Sequence, residues 1–513
     1  MSLLTKIIII SVALLLRAAT SLHGYSGQNK PPLHGDFEAQ RHWQEITVNL
    51  QVQEWYENST DNDLLYWGLD YPPLTAYHSF LCGKIASYIN KNYIKLHSSR
   101  GLEDGQHKLF MRHTVLVADL LIFIPAITYF FKIFNCLYSN GKNAESNEII
   151  KSASLIMTLF YPGLILIDNG HFQYNNISLG LAILAIAYLM KNEDYKASIA
   201  FVFALNYKQM ELYHAFPIFV YLLAGNIHHK SKISGLFEVL KLGAVVILTF
   251  VVLWLPFIWN LKIFTQVLHR IFPFARGIFE DKVSNVWCAV NVLVKLRTLF
   301  DTKQLATLCT VTTLISIIPS NLMLFIYPNK INLKYSLFTT SLSFFLFSFQ
   351  VHEKSILLAA LPALLLFKFE PLFVYWFSYI SCFSMLPLLI KDQLYSIYLV
   401  LNVFYAMIFV WYSLIYHSGN IHDNIFTLSW NLRSEGSKSR SGSWILKLLF
   451  HISIISTVIL TFSSVLIKPP EKYPDIFPLL ISVISCLHFL MFLLYFSVKL
   501  FCINLKKNDT KCQ

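Results

Sequence analysis

Asp70 is the residue whose neighbours best suit a catalytic base, and it lies in the string YWGLDYPP. Pro72 forces Tyr71 into an extended conformation, and Pro73 can begin a helix because the first turn needs no amide hydrogen there. The carboxylate therefore stands on a rigid extended segment, partly shielded by Trp67 and Tyr71. A general base requires such fixed placement, whereas the alternative is an aspartate that only caps a turn.

Polar and charged residues gather in further clusters that interrupt an otherwise apolar sequence. These clusters are GDFEAQRHW at 35–43, DNGHFQYNN at 168–176, NYKQMELYH at 206–214, FPFARGIFEDK at 272–282 and VHEKS at 351–355. Each cluster also has a simpler structural interpretation. Asp36 has the residue type of a helix N-cap, and Lys208 could pair with Glu211 on one helix face. His352 and Lys354 could anchor the chain at a membrane surface.

The string Asp61-Asn62-Asp63 matches the DxD pattern with which many sugar-nucleotide transferases hold a metal ion. Because polar residues surround it, a solvated loop is the favoured interpretation. Asn58-Ser59-Thr60, immediately before it, is an N-glycosylation sequon. The eight cysteines are scattered and indicate no zinc or redox site.

The composition indicates that membrane-spanning helices position these clusters. Of 513 residues, 55% are hydrophobic and only 14% are charged, and the mean hydropathy is +0.52. A soluble globule cannot bury this much apolar surface, so the sequence predicts an all-α polytopic membrane protein. The net charge of +12 resides largely in short loops between apolar runs, which indicates anionic headgroups rather than nucleic acid as the partner.

We expect about fourteen transmembrane helices, because each span needs about 20 mostly apolar residues. The first apolar run, 3–22, is expected to be a retained span, with a cleaved signal peptide as the alternative. The first loop, 23–107, is expected to hold interfacial helices with apolar residues at helical spacing. The segment 286–300 is interpreted as interfacial rather than spanning, because it is interrupted by Lys295 and Arg297.

Basic residues in alternate connections orient the chain by the positive-inside rule. With Lys191, Lys196 and the other loop lysines in the cytoplasm, all the polar clusters fall on the opposite face. A transporter would instead carry its polar groups near the bilayer midplane. We therefore expect an enzyme with an N-terminal catalytic module, 1–285, and a C-terminal transmembrane module, 286–513, that contributes to a lipid-donor site.

Six long strings resemble one known family, in order and over nearly the whole chain. They are YSGQNKPPLHGDFEAQRHWQEIT, YWGLDYPPLTAYHS, GHFQYNN, LNYKQMELYHA, FPFARGIFEDKVSNVWC and FSFQVHEKS. The family is that of the dolichyl-phosphate-glucose-dependent glucosyltransferases of the endoplasmic reticulum, which have the GT-C fold. The resemblance implies a multi-pass protein of that membrane, in contact with its lipids, with an active site that faces the lumen.

The resemblance implies a specific reaction, in which glucose moves from dolichyl phosphate β-D-glucose to the terminal mannose of the dolichol-diphosphate-linked high-mannose oligosaccharide. This would be the first glucose, added in α-1,3 linkage with inversion and without a metal or other cofactor. The alternatives are the second-glucose enzyme of the same family and, from another class, a multi-span transporter or lipid scramblase.

The residue assignments follow from this reaction. The family's first-loop carboxylate base matches Asp70. Chemical reasoning places cations and donors on the phosphate side, namely Lys208, Arg276, His352 and Lys354. The expected sugar-site residues are Asp36, Trp67, Tyr71 and Glu211, and the further substrate-binding candidates are His171 and Asp281.

Overall fold

The computed structural model describes residues 3–137, 144–229, 232–272, 282–416 and 441–509, and within these ranges the chain forms helices and turns without a β-strand. The α-helices of the first half are α1 (Leu3–Ser21), α2 (Asp36–Asn49), α3 (Pro73–Ile89), α4 (Gly105–Ala118), α5 (Ile124–Leu137), α6 (Ala144–Leu159), α7 (Pro162–Ile165), α8 (Asn175–Met190), α9 (Asp194–Tyr207), α10 (Leu212–His229), α11 (Lys232–Ile258) and α12 (Leu261–Ile271). Those of the second half are α13 (Val286–Leu293), α14 (Leu296–Leu299), α15 (Thr302–Ile326), α16 (Lys330–Phe347), α17 (Ile356–Leu364), α18 (Pro371–Ser384), α19 (Leu386–Lys391), α20 (Tyr395–Tyr416), α21 (Ser441–Leu466) and α22 (Ile476–Asp509).

The prediction of an all-α polytopic membrane protein is confirmed. In the described part of the chain, 8 helical segments are long and apolar enough to span a bilayer: Leu3–Ser21, Gly105–Leu137, Ser152–Phe172, Ile233–Ile258, Thr302–Ile326, Tyr395–Leu414, Trp444–Leu466 and Ile476–Leu505. Several other expected spans fold as shorter helices buried in the bundle, among them α17 with 9 residues and α18 with 14. The count of about fourteen and the GT-C fold stay predictions.

The segment 286–300 forms α13 and α14, which are 8 and 4 residues long. A span needs about 20 residues, so these helices are too short to cross the bilayer, as expected from the sequence.

A buried ion pair anchors α1 inside the bundle. Arg17 Nε lies 3.2 Å from Asp119 Oδ1, and both side chains are 1% exposed. The Arg17 guanidinium also donates to the Leu159 carbonyl oxygen at 3.0 Å. Removing one partner of a buried pair leaves an uncompensated charge, which strongly destabilises a fold. This contact favours a retained first span over a cleaved signal peptide.

The first loop folds around α2 and α3, which pack closely together. A Cβ atom added at Gly83 would lie 2.6 Å from Val48 Cγ2 and 2.9 Å from the Gln44 carbonyl oxygen, so only glycine permits this approach. The predicted start of α3 at Pro73 is confirmed. The outer face of α3 carries Leu81, Ile85 and Tyr88, which are 59%, 48% and 93% exposed, as expected of a helix that lies on lipid.

The helix α2 does not have the exposed polar face of the amphipathic helix that the sequence predicts, because this face is buried as well. Arg41 is fully buried, and its Nη2 atom lies 2.6 Å from Glu38 Oε1 and 2.7 Å from Glu45 Oε2. Ser99 Oγ accepts a further hydrogen bond from the guanidinium at 2.6 Å. These partners neutralise the arginine, so the segment that carries Ser99 can cover the polar side of the helix.

Candidate active site

Asp70 lies on a short extended segment whose carbonyl oxygens are held one after another by side chains. Arg270 donates to the carbonyl oxygens of residues 68 and 69, at 2.8 and 3.2 Å. Gln209 Nε2 donates to the Asp70 carbonyl oxygen at 3.1 Å, and the Tyr56 hydroxyl donates to that of Tyr71 at 2.8 Å. Four successive peptide units are thereby fixed, which gives the carboxylate the rigid placement that a general base requires.

The turn before Asp70 is strained. Trp67 has a φ of +131°, a conformation that residues with a side chain rarely adopt. Its carbonyl oxygen accepts from Trp43 Nε1 at 2.9 Å, and its own Nε1 donates to the Leu33 carbonyl oxygen at 2.5 Å. A Cβ at Gly68 would lie 2.7 Å from Leu64 Cα, so glycine is required there. Such strain persists only where the surroundings enforce it, often at functional sites.

Four ionisable side chains from distant parts of the chain form a second feature, here named the ion cluster: Asp36, His171, Lys354 and Asp392. Lys354 Nζ lies 2.5 Å from Asp36 Oδ2 and 3.2 Å from His171 Nε2. His171 Nε2 lies 3.1 Å from Asp36 Oδ2, while its Nδ1 atom is hydrogen-bonded to Asp392. Gln173 Nε2 donates to the same oxygen of Asp36.

Each member of the ion cluster lies at an interruption or an end of a helix. Asp36 is the first residue of α2, Lys354 is in the single turn before α17, and Asp392 follows α19. His171 belongs to a π-helical segment, Leu166–Phe172. Such segments are rare and occur frequently at functional sites.

The N-cap interpretation of Asp36 is wrong. Gly35 occupies the N-cap position of α2 and provides no side-chain cap. The Asp36 carboxylate instead binds Lys354, His171 and Gln173. Its position therefore depends on contacts with distant residues rather than on capping of its own helix.

Lys208 links the ion cluster to the Asp70 segment. The chain leaves helical geometry at Lys208, whose φ is −144°. Its Nζ atom donates to Asn175 Oδ1 at 2.6 Å and to Gln173 Oε1 at 3.2 Å, and it lies 5.4 Å from the centre of the Tyr71 ring. The alternative interpretation, a helix-face pair with Glu211, is not observed, because this break turns the two side chains toward different partners.

The local charges set the proton affinities at this site. Burial alone would raise the pKa of the Asp36 carboxyl, but the charges of Lys354 and His171 hold it well below its usual range. Burial alone would lower the pKa of Lys354, but Asp36 outweighs burial and raises it. Burial, assisted by the nearby charge of Lys354, lowers the pKa of Lys208 to about 8.

The remaining candidate residues differ in what the structure shows. Glu211 is fully buried, and its Oε2 atom lies 2.6 Å from His214 Nδ1, so its role as a sugar contact stays a prediction. His352 is partly exposed immediately before the turn that contains Lys354. Arg276 and Asp281 lie outside the described residues.

The two aspartates of the DxD string make contacts within the first loop. Asp61 Oδ1 lies 2.9 Å from His97 Nε2, and Asp63 Oδ1 accepts from the Leu65 amide at 2.9 Å. Among the residues that the structure describes, no group of three or more histidine, cysteine, aspartate or glutamate side chains is arranged to hold a metal ion. These contacts agree with the loop interpretation.

Comparison with known proteins identifies the family of the chain. The model of the ALG6, ALG8 glycosyltransferase family matches residues 3–495. The chain belongs to this family.

Several relatives match the chain over nearly its whole length. The probable dolichyl pyrophosphate Man9GlcNAc2 alpha-1,3-glucosyltransferase of Drosophila melanogaster is 48% identical over 491 residues, which are 96% of this chain and 97% of that protein. The dolichyl pyrophosphate Man9GlcNAc2 alpha-1,3-glucosyltransferase of Gallus gallus is 46% identical and that of Mus musculus is 44% identical, each over 96% of this chain and 95% of the relative.

The residues that hold Asp70 and His171 in place were not identified from the sequence. Tyr56, Gln209 and Arg270 hold the main chain around Asp70, and Asp392 binds His171. Gln209 lies inside a polar cluster, and Arg270 lies at the edge of another. Their positions only weakly indicate a supporting role, because the backbone atoms that they bind lie far away in the sequence.

We predict that Asp392→Asn lowers kcat/KM for sugar transfer by about 10- to 100-fold, because a loosened His171 ring no longer confines Lys354 and small misplacements are costly. The measurement is sugar transfer by purified protein whose thermal midpoint equals that of the wild type. Asp475→Asn is the matched control, because its carboxylate pairs with Lys282 at an exposed site. Equal activity of the Asp392 variant and this control would contradict the prediction.

Proposed function

We propose that this protein transfers glucose from dolichyl phosphate β-D-glucose to the terminal mannose of the dolichol-diphosphate-linked high-mannose oligosaccharide, in α-1,3 linkage, at the lumenal face of the endoplasmic reticulum. The observation that carries the acceptor and the linkage is the similarity to relatives of that name over 96% of the chain. The donor and the lumenal face are supported by the cationic site, the sequence resemblance and the charge pattern of the loops.

The proposed chemistry is a single displacement. The acceptor hydroxyl attacks the anomeric carbon of glucose as the bond from that carbon to the phosphate oxygen breaks, and Asp70 takes the hydroxyl proton. Inversion requires one base opposite the leaving group, as inverting glycosidases arrange for water. The fixed extended segment holds Asp70 for this role, and dolichyl phosphate leaves as a stable anion.

Lys208 and Lys354 are the proposed phosphate ligands. Lys208 lies against the ring of Tyr71, the residue after Asp70. Lys354 is connected to Lys208 by hydrogen bonds through Asp36 and Gln173. Charge-assisted hydrogen bonds from side chains suffice for a singly charged phosphodiester, so we propose that the reaction needs no divalent metal. The developing charge on the leaving oxygen would be stabilised by the same cations.

We predict that purified protein, dolichyl phosphate glucose and an unglucosylated lipid-linked acceptor yield one α-1,3-linked glucose in the presence of EDTA. The measurement is linkage analysis of the product.

Three results would contradict parts of this proposal. Transfer only to an already glucosylated acceptor would indicate the second-glucose enzyme. Lipid movement across the bilayer without transfer would indicate a transporter or scramblase. Loss of activity in EDTA that manganese restores would contradict the metal-independent mechanism and favour a role for Asp61 and Asp63.

We predict that Asp70→Asn keeps the fold but lowers the transfer rate by about 10²- to 10⁴-fold, the usual contribution of a general base. The rate is measured in single turnovers at saturating donor. Asp63→Asn, a matched change in the same loop, is expected to retain activity because its carboxylate holds only the loop backbone. Near-normal turnover by the Asp70 variant would remove this residue from the role of base.

We predict that the donor KM of the wild type rises as the pH increases through about 8. Lys208 has a pKa of about 8, so it is charged below this pH, loses its proton above it and then binds phosphate less well. Lys208→Arg is expected to abolish the rise, because a guanidinium stays charged at these pH values.

Lys354→Arg is the control for this experiment, because the pKa of Lys354 is already raised. This variant is expected to keep the rise in donor KM. A rise that persists unchanged in Lys208→Arg would show that another group causes it.

A further inference from the structure

Three sequons of the form Asn-x-Ser/Thr occur in the chain, and the proposed reaction uses none of them. They are Asn58-Ser59-Thr60, Asn176-Ile177-Ser178 and Asn508-Asp509-Thr510. A sequon is modified only where the asparagine is accessible in the lumen. Burial and position within the fold therefore decide which of the three can carry an oligosaccharide.

The first sequon lies on an exposed turn that the buried side chain of Asn62 holds in place. Its three residues are exposed. Asn62 is fully buried, and its Nδ2 atom donates to the carbonyl oxygens of Glu54, Trp55 and Glu57 at 3.1, 3.2 and 2.9 Å. The Ser59 amide donates to the Asn62 carbonyl oxygen at 3.1 Å. The turn is thus fixed from inside, and its sequon faces solvent.

The other two sequons are excluded for different reasons. Asn176 is fully buried. Its backbone N–H donates to Asp168 Oδ2 at 2.6 Å, and its side-chain Nδ2 donates to the Val115 carbonyl oxygen at 3.1 Å. Asn508 lies at the end of α22 beside Lys506 and Lys507, on the side that the positive-inside rule assigns to the cytoplasm.

We propose that Asn58 is an N-glycosylation site and that the other two sequons are unmodified. The donor is a lipid diphosphate-linked oligosaccharide, and a separate lumenal transferase supplies the base. The bond between the Asn58 side-chain nitrogen and the anomeric carbon forms, the bond from that carbon to the diphosphate breaks, and the amide proton goes to the base. This proposal rests on the proposed function, which places the first loop in the lumen.

The glycan is independent of the catalytic machinery. Asn58 contributes to the fold through one hydrogen bond, in which its Oδ1 accepts from the Leu64 amide at 3.2 Å. Glutamine retains an amide oxygen at this position. Asn58→Gln is therefore expected to fold and to transfer sugar at the wild-type rate.

The test is the electrophoretic mobility of the full chain, expressed in eukaryotic cells, with and without endoglycosidase. The wild type is expected to shift by one glycan. Asn58→Gln and Thr60→Ala are expected to lose this shift, whereas Ser59→Ala, which leaves the sequon intact, is expected to keep it. A glycan that remains on Asn58→Gln would overturn the assignment.

A second variant separates this inference from the orientation on which it rests. Asn90, Lys91 and Asn92 are exposed in the same loop, so Asn92→Thr in the Asn58→Gln background places a new sequon at Asn90. A glycan at Asn90 together with an unmodified wild type would overturn the Asn58 site alone. The absence of a glycan from both proteins would overturn the lumenal orientation, and the Asn58 site with it.

Discussion

The ion pair between Asp36 and Lys354 is the interaction on which the arrangement of the site depends. It joins residues 318 positions apart, one at the start of α2 and the other immediately before α17. A charge inside a protein is costly unless an opposite charge and hydrogen bonds compensate it. The pair therefore fixes the first loop against the second half of the chain, and His171 and Gln173 complete the compensation.

The two lysines of the site are compensated differently. Lys354 is bound to a carboxylate, whereas Lys208 donates to the amide oxygens of Gln173 and Asn175. An amide oxygen compensates a cation less completely than a carboxylate does. In the proposed mechanism, the donor phosphate would therefore gain most from Lys208, while Lys354 would also keep the surrounding residues in place. The fixed backbone around Asp70 gives the proposed base a constant position relative to both cations.

The sequence predicted those features that depend on neighbouring residues. The extended segment at Asp70 and the helix start at Pro73 follow from local proline geometry, and apolar runs were sufficient to predict an all-α membrane protein. The burial of Arg41 and the role of Asp392 were not predictable, because the residues that cover or contact them lie elsewhere in the chain. Lys208 was a candidate from the sequence, yet its partners depend on a helix break that periodicity does not reveal.

A double-mutant cycle on Asp36 and Lys354 tests the central claim most directly. The measurement compares kcat/KM for the donor among Asp36→Asn, Lys354→Met, the double variant and the wild type. If Asp36 acts by positioning Lys354, the double variant loses no more activity than Lys354→Met alone, since coupled residues are not additive. If the two single losses add in the double variant, Asp36 acts independently, and the proposed phosphate site does not depend on this pair.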